Sequence, residues 1–186
     1  MAALRKEDAR YTYADYCMLD DGKRYEIIDG ELHAMSPAPS WRHQEISSNL
    51  HGQLHVFLKN KKCKVFAAPF DVRLSADEKD DTVVQPDLVV ICDHSKLSGT
   101  GCIGAPDLVI EILSPSTLRL DRADKLLLYQ RTGVQEYWIA DPEAKTVHAH
   151  ILEGGRYFVS CYANPDSAPV SVLKGCTINL SEVFAE

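Results

Sequence analysis

The sequence predicts a mixed α/β sandwich, and three observations carry that prediction. Apolar residues recur at helical spacing through Ile46, Leu50, Leu54, Phe57 and Leu58. From Val65 to Cys92 the period falls to two, the mark of strands. Residues 107 to 140 then alternate strand, helix, strand, a unit whose crossover implies parallel pairing and a right-handed connection.

The elements follow in order. Thr12-Tyr-Ala-Asp15 sets an acid three residues after a Thr cap, so a short helix is expected to run to about Leu19 and end at Asp20-Asp-Gly22. Tyr25 to Ile28 and Glu31 to Met35 flank Asp29-Gly30, a hairpin signal. Ser36 to Ser40 is a loop whose last residue caps the long helix, and the cations of KNKKCK from Lys59 suit that helix's C-terminus. Strands are expected over Val65 to Leu74 and Thr82 to Cys92, joined by the acidic loop Asp77 to Asp81, and over Asp107 to Leu113. A helix from Asp121, its cap, to Arg131 stops at Gly133, and Glu136 to Ala140 is the next strand. KTVHAHI and RYFVSCY around Gly154-Gly155 form a last hairpin, with Ser181 placed to cap a final helical turn. Leu88 to Ile91, apolar on both faces, belongs in the centre of the sheet.

The 186 residues suit one domain spanning 1–186, and 45% hydrophobic residues are enough for a full core. No apolar run approaches the ~20 residues of a bilayer span, and MAALRKEDARYTYADY lacks the apolar core of a signal peptide, so a cytoplasmic protein without membrane contact is expected. The six cysteines are scattered with no CxxC pair, which suggests reduced thiols, several filling the core, and argues against a cysteine-rich zinc site. With 27 acids against 20 bases the net charge is −7, which disfavours broad coating of DNA but leaves room for a local basic rim.

VVQPDLVVICD and APDLVIEILSPST carry acids where buried strands should have none. Side chains alternate along a strand, so Asp87 shares a face with Val89 and Ile91, and Glu111 shares one with Val109 and Leu113. If the strands are neighbours, the two carboxylates converge, and repulsion would protonate one unless a cation lies between them. A hard divalent ion such as Mg²⁺, which commonly takes one or two carboxylates plus water, resolves the conflict. Asp107, at a strand entrance after Pro106, is better explained as a turn acid. Glu111 has LVI before it and IL after it, so a loop position is excluded and a functional acid is favoured.

Pro86-Asp87 followed by a strand bearing Glu111-Ile112-Leu113 resembles the PD-(D/E)XK phosphodiesterase superfamily. More closely, YEIIDGEL, RHQEI, VVQPDLVV, PDLVIEILSPST, DRADKLLLY and GVQEYWIADPE, in order from Tyr25 to Glu143, resemble the Uma-type family of "putative restriction endonucleases". The resemblance implies a restriction-endonuclease-like α-β-β-β-α-β core with an added N-terminal hairpin and a C-terminal β-hairpin. It implies a Mg²⁺-dependent endonuclease, with Mn²⁺ as a substitute, that hydrolyses nucleic-acid phosphodiesters, DNA foremost. A homodimer follows by the same analogy, because cutting two strands needs two sites.

One position departs from the pattern. The superfamily's lysine two residues after the acid is Leu113 here, which can neither position nor activate water. In the Uma-type family the lysine lies on the following helix, and the matching residue is Lys125. By itself that residue also fits a surface pair with Asp121; helical spacing places it beside Leu128 and Tyr129, along which its ammonium could point inward. By analogy Asp87, Glu111 and the backbone carbonyl of Ile112 hold the ion, and Lys125 orients water or stabilises transition-state charge.

Second in rank stand His43, on the first turn of the long helix, which could touch the scissile phosphate or simply cap the helix, and Glu26 and Glu31 about the Asp-Gly turn, which could approach the metal. Gln85 could steady the site through hydrogen bonds. His51 and His55, i and i+4 on one helix, lack a third ligand and are expected to flank its buried face, and His148 and His150, two apart on one strand face, are expected to be surface imidazoles. A rival class fits Leu113 and the acidic charge: a catalytically inactive member of the fold serving as an interaction module or mobile-element accessory.

Overall fold

A computed structural model describes residues 10–35, 38–75, 80–114 and 123–185. The Asp121 cap, Ser36 and the Asp77 end of the acidic loop lie outside them.

Local signals set the first elements. Thr12 Oγ1 accepts from the Asp15 N–H while Asp15 Oδ2 accepts from Thr12 N, the reciprocal box that starts α1 (Tyr13–Cys17). Strands β1 (Tyr25–Ile28) and β2 (Glu31–Ala34) pair across Asp29 and Gly30, both at positive φ (52° and 80°), as a tight hairpin needs. Ser40 Oγ accepts from His43 N to open α2 (Trp41–Leu58), which buries Ile46, Leu50, Leu54 and Leu58 along one stripe.

Each of the two long strands expected between Val65 and Cys92 is broken. The first divides into β3 (Lys64–Ala67) and β4 (Asp71–Arg73), and the second into β5 (Val83–Val84) and β6 (Leu88–Ile91). Pro69 and Pro86 fall at the breaks, where a residue without an N–H cannot hold a ladder. The halves belong to different sheets. β3 pairs with β6 and β4 with β5, all antiparallel, so the paired chains pass together from one sheet to the other. β7 (Gly101–Ile103) joins the second sheet parallel to β4, so closely that a Cβ on Gly101 would lie 1.8 Å from the Asp71 carbonyl oxygen.

The remaining elements are β8 (Leu108–Ile112), α3 (Lys125–Thr132), β9 (Glu136–Asp141), β10 (Thr146–Glu153), β11 (Arg156–Ala163), β12 (Ser167–Pro169), β13 (Thr177–Asn179) and α4 (Leu180–Val183). Gly133, at φ 84°, ends α3. The main sheet has the order β11-β10-β9-β8-β6-β3 and the second β2-β1-β5-β4-β7. β8 and β9 pair in parallel, as the crossover requires, and all five residues of β8 are buried. In chain order α2, β3, β6, β8, α3 and β9 make the expected α-β-β-β-α-β core, with β1–β2 and β10–β11 as the added hairpins.

Two apolar clusters cover the main sheet. One face packs Leu88, Val90, Ile110 and Trp138 against α2 and the C-terminal segment; the other packs Val89, Val109, Leu113 and Ile139 with Leu128 and Tyr129 of α3 and Val72 and Val84 of the second sheet. Each fully buried aliphatic side chain contributes about 1.5–3 kcal/mol. Among the described residues no helix is long and apolar enough to cross a membrane.

The cysteine expectation needs correction. Cys63 and Cys92 form a disulfide, because the antiparallel register that sets Lys64 opposite Ile91 brings the next residues face to face. Their separation of 29 residues hid that pairing from the sequence. Cys102 and Cys176 are the buried core thiols.

A further acid was overlooked: Glu136, wholly buried on the α2 side of β9. Its Oε1 accepts from Trp138 Nε1 (2.6 Å) and its Oε2 from Val172 N (2.9 Å), tying the C-terminal segment to the sheet. Burial raises its carboxyl above the ordinary value, opposed by hydrogen bonds from Val172, Trp138 and Ser171. Raised in the folded state, the group adds stability that is complete below its unfolded pKa and lost as pH rises through the folded one. Because Glu136→Gln cannot titrate, the stability of wild type relative to this variant should grow as pH falls from neutrality toward the carboxylate range. Urea unfolding at the two pH values tests this, and a constant difference would contradict it.

Candidate active site

The break at Pro86 decides where the acids lie. Asp87 stands between the end of β5 and the start of β6, where the chain leaves the second sheet for the first. β6 and β8 are antiparallel neighbours with Leu88 opposite Ile110, so Asp87 comes beside Glu111. The Asp87 N–H points to Glu111 Oε2 at 3.4 Å, and the Ile112 N–H donates to Asp87 Oδ2 at 2.8 Å. The predicted convergence of the two carboxylates is present.

Lys125 opens α3 and sends its ammonium into the same place. Nζ lies 2.8 Å from Glu111 Oε1 and 3.0 Å from Glu26 Oε1. Its side chain is only 5% exposed, which rules out the surface-pair reading. One turn on, Tyr129 donates its hydroxyl to Glu111 Oε1 at 3.0 Å, its ring held edge-on against Tyr137. Spacing had placed Tyr129 beside Lys125 as core; the same i, i+4 relation could have identified it as a second donor to Glu111.

Glu26 comes from β1 of the second sheet. Its Oε1 also accepts from the Gln85 N–H at 2.8 Å. The Gln85 side chain is held from both ends: its Oε1 accepts from Arg24, and its Nε2 donates to Tyr16 and Asp71. Gln85 thus ties Arg24, Tyr16 and Asp71 together at the junction. The Tyr16 hydroxyl, half-buried and beside Asp71, is pushed well above its ordinary pKa and stays a proton donor.

His43 reaches the site from α2, with Nε2 3.2 Å from Asp87 Oδ2. Asp87 is the most accessible of these acids, its side chain 23% exposed. Glu31 is not brought in; it is exposed at the turn end of β2, opposite Ile28. Asp107 is a structural acid whose Oδ2 accepts from Cys92 N at 2.7 Å.

Chemically, the carboxylates of Glu26 and Glu111 face the ammonium of Lys125, while that of Asp87 faces His43 and the Ile112 N–H. The carboxylate oxygens of Asp87 and Glu111 and the Ile112 carbonyl are hard donors of the kind that could hold a divalent cation. No group of three or more His, Cys, Asp or Glu side chains among the described residues is arranged to hold a metal by itself.

A solved structure from Anabaena variabilis, described as a "putative nuclease belonging to DUF820", superposes with a TM-score of 0.75 at 22% identity, over 94% of this chain and 98% of its own. The fold is therefore that of this nuclease-like structure. Residues 11–181 match the model of the Uma2 family, "Putative restriction endonuclease", and the chain belongs to that family. The uncharacterized protein slr1290 of Synechocystis sp. is 27% identical over 146 residues, covering 77% of this chain and 75% of its own.

Buried charge at this junction gives Lys125 a structural role. Lys125→Met should cost about 3–5 kcal/mol, because it leaves two buried carboxylates without their shared cation. Glu26→Gln combined with Lys125→Met should recover much of that loss. Urea unfolding of both variants is the test, and equal stability of Lys125→Met and wild type would show that the ammonium does not neutralise the pair.

Proposed function

We propose that the protein is a Mg²⁺-dependent endonuclease that hydrolyses phosphodiester bonds of nucleic acid, DNA foremost. The observation that carries this reading is the position of Lys125. Leu113 occupies the superfamily's lysine position and lies in the core, yet an ammonium still reaches Glu111, delivered from α3. Family membership supports the reaction class.

The roles follow from the contacts. Asp87 and Glu111, with the Ile112 carbonyl, are the oxygens that would hold the ion. An ion held there would supply Lewis acidity, lowering the pKa of a water and offsetting charge on the phosphate. Lys125, fixed by Glu26 and Glu111, presents a positive charge to the oxygens on which negative charge develops. The Tyr129 hydroxyl holds the Glu111 carboxylate in one rotamer, and the Gln85 N–H does the same for Glu26. His43, against the accessible Asp87, is placed to contact the phosphate or relay a proton. Water displaces the leaving oxygen directly, without a covalent enzyme intermediate. On a duplex, the reading calls for two copies of the chain, one for each strand.

Circular single-stranded and supercoiled DNA, incubated with Mg²⁺ or Mn²⁺, should be cleaved by wild type and protected by chelation. Asp87→Asn and Glu111→Gln should each slow cleavage by about 10²–10³-fold or more, with folding checked by circular dichroism. A Glu111→Gln protein as active as wild type would end the proposal. A folded wild type inert on DNA and RNA would favour the inactive interaction module.

A further inference from the structure

β11 is the open edge of the main sheet. It is eight residues long, and only Tyr157 and Tyr162 along it are even partly buried. From Tyr157 to Ala163 it carries no charge and no proline, and Phe158 and Val159 are each 59% exposed. An unpaired edge is a template for another strand, and proteins commonly blunt one with charge, proline or brevity. Among the described residues the other edges of the two large sheets are blunted in this way. β3 has four residues headed by Lys64, β2 has four headed by Glu31, and β7 has three.

The backbone sets which pairing β11 can accept. The Asn164 N–H donates to the Lys145 carbonyl beside β10, whereas the Tyr157 N–H donates away from β10, to Gln130 Oε1. Backbone direction alternates along a strand, so Val159, Cys161 and Ala163 face the open side with Tyr157. A second, antiparallel β11 centred on Cys161 sets Cys161 opposite Cys161 and Val159 opposite Ala163, which uses all three. It also sets Pro165, which has no N–H, opposite Tyr157, whose N–H is already taken. Arg156 then faces Asp166 of the other copy, and neither makes an ion pair with a described residue of its own chain.

We propose that β11 is the interface of a symmetric dimer, in which two copies of this chain join their six-stranded sheets edge to edge into one. A two-fold axis lets one patch serve both copies, and main-chain groups along an edge recognise another strand. Phe158 reaches diagonally toward Tyr162 of the other copy.

The register gives this arrangement a use. Glu111 lies opposite Ile139, Ile139 opposite His148, and His148 opposite Cys161, so Glu111 and the axis share one row across the sheet. The axis of such a pair stands perpendicular to the sheet, which leaves both α3 faces, and both carboxylate sites, on the same side. Seven strand steps of about 4.8 Å put the two Glu111 residues roughly 34 Å apart, about one turn of B-DNA. That use rests on the nuclease reading; the interface itself does not.

Sedimentation velocity of the full-length chain, with and without Cys161→Lys, tests the proposal. Wild type should sediment as a dimer. Cys161→Lys changes an exposed residue and should be a monomer with unchanged circular dichroism, because two lysines would face each other across the axis. In Cys17→Ser, which leaves Cys161 as the exposed free thiol, mild oxidation should link two chains through Cys161. A wild type that stays monomeric at every concentration would overturn the proposal, as would a dimer that Cys161→Lys leaves intact or that oxidation does not link. A dimer that Cys161→Lys splits, in a protein that cleaves no nucleic acid, would keep the interface and remove the nuclease reading.

Discussion

One buried ammonium joins the parts of this molecule. Lys125 comes from α3, Glu26 from the second sheet and Glu111 from the centre of the main sheet, and the three side chains meet within 3.0 Å. Withdrawing such charges from water costs several kcal/mol per ion unless each finds compact, well-oriented partners. Here the carboxylates also receive the Tyr129 hydroxyl and the Gln85 N–H, which supply the hydrogen bonds that a lone lysine could not. The docking of α3, the approach of the two sheets and the pairing of the acids therefore depend on one another.

The crossing of the two β-ribbons makes that junction possible. Pro69 and Pro86 interrupt adjacent strands at the same level, and the chain between the sheets places Asp87 at their border rather than within either ladder. There the Asp87 N–H lies 3.4 Å from Glu111 Oε2, and its carboxylate, 23% exposed, stands against His43. Leu113 contributes to the core beneath it. Moving the ammonium from strand to helix keeps the charge in place while tying its position to the packing of Leu128 and Tyr129.

Much of this was legible because local rules and tertiary structure agree. The Thr12 box, the Asp29-Gly30 turn, the Ser40 cap, the α2 stripe and the parallel crossover all formed as spacing predicted. Strand alternation alone put Asp87 and Glu111 on one side of the sheet. Lys125 needed the family resemblance, since nothing local distinguishes it from a surface lysine. The strand breaks escaped because Val65 to Leu74 and Thr82 to Cys92 keep a period of two across the sheet change, so periodicity cannot show which sheet a half joins. Cys63–Cys92 and the Glu26–Lys125 pair escaped because they depend on register between distant segments. Glu136 did carry a signal, an acid heading the apolar run EYWIA, the same pattern that exposed Glu111.

In the proposed mechanism Asp87 and Glu111 form one cation site beside Lys125. Calorimetric titration of Mn²⁺ into wild type, Asp87→Asn and Glu111→Gln tests it most directly, without requiring the right substrate. A single saturable binding event in wild type, lost in both variants while their circular dichroism is unchanged, is the expected result. Binding that survives either substitution would place the ion elsewhere and contradict the assignment.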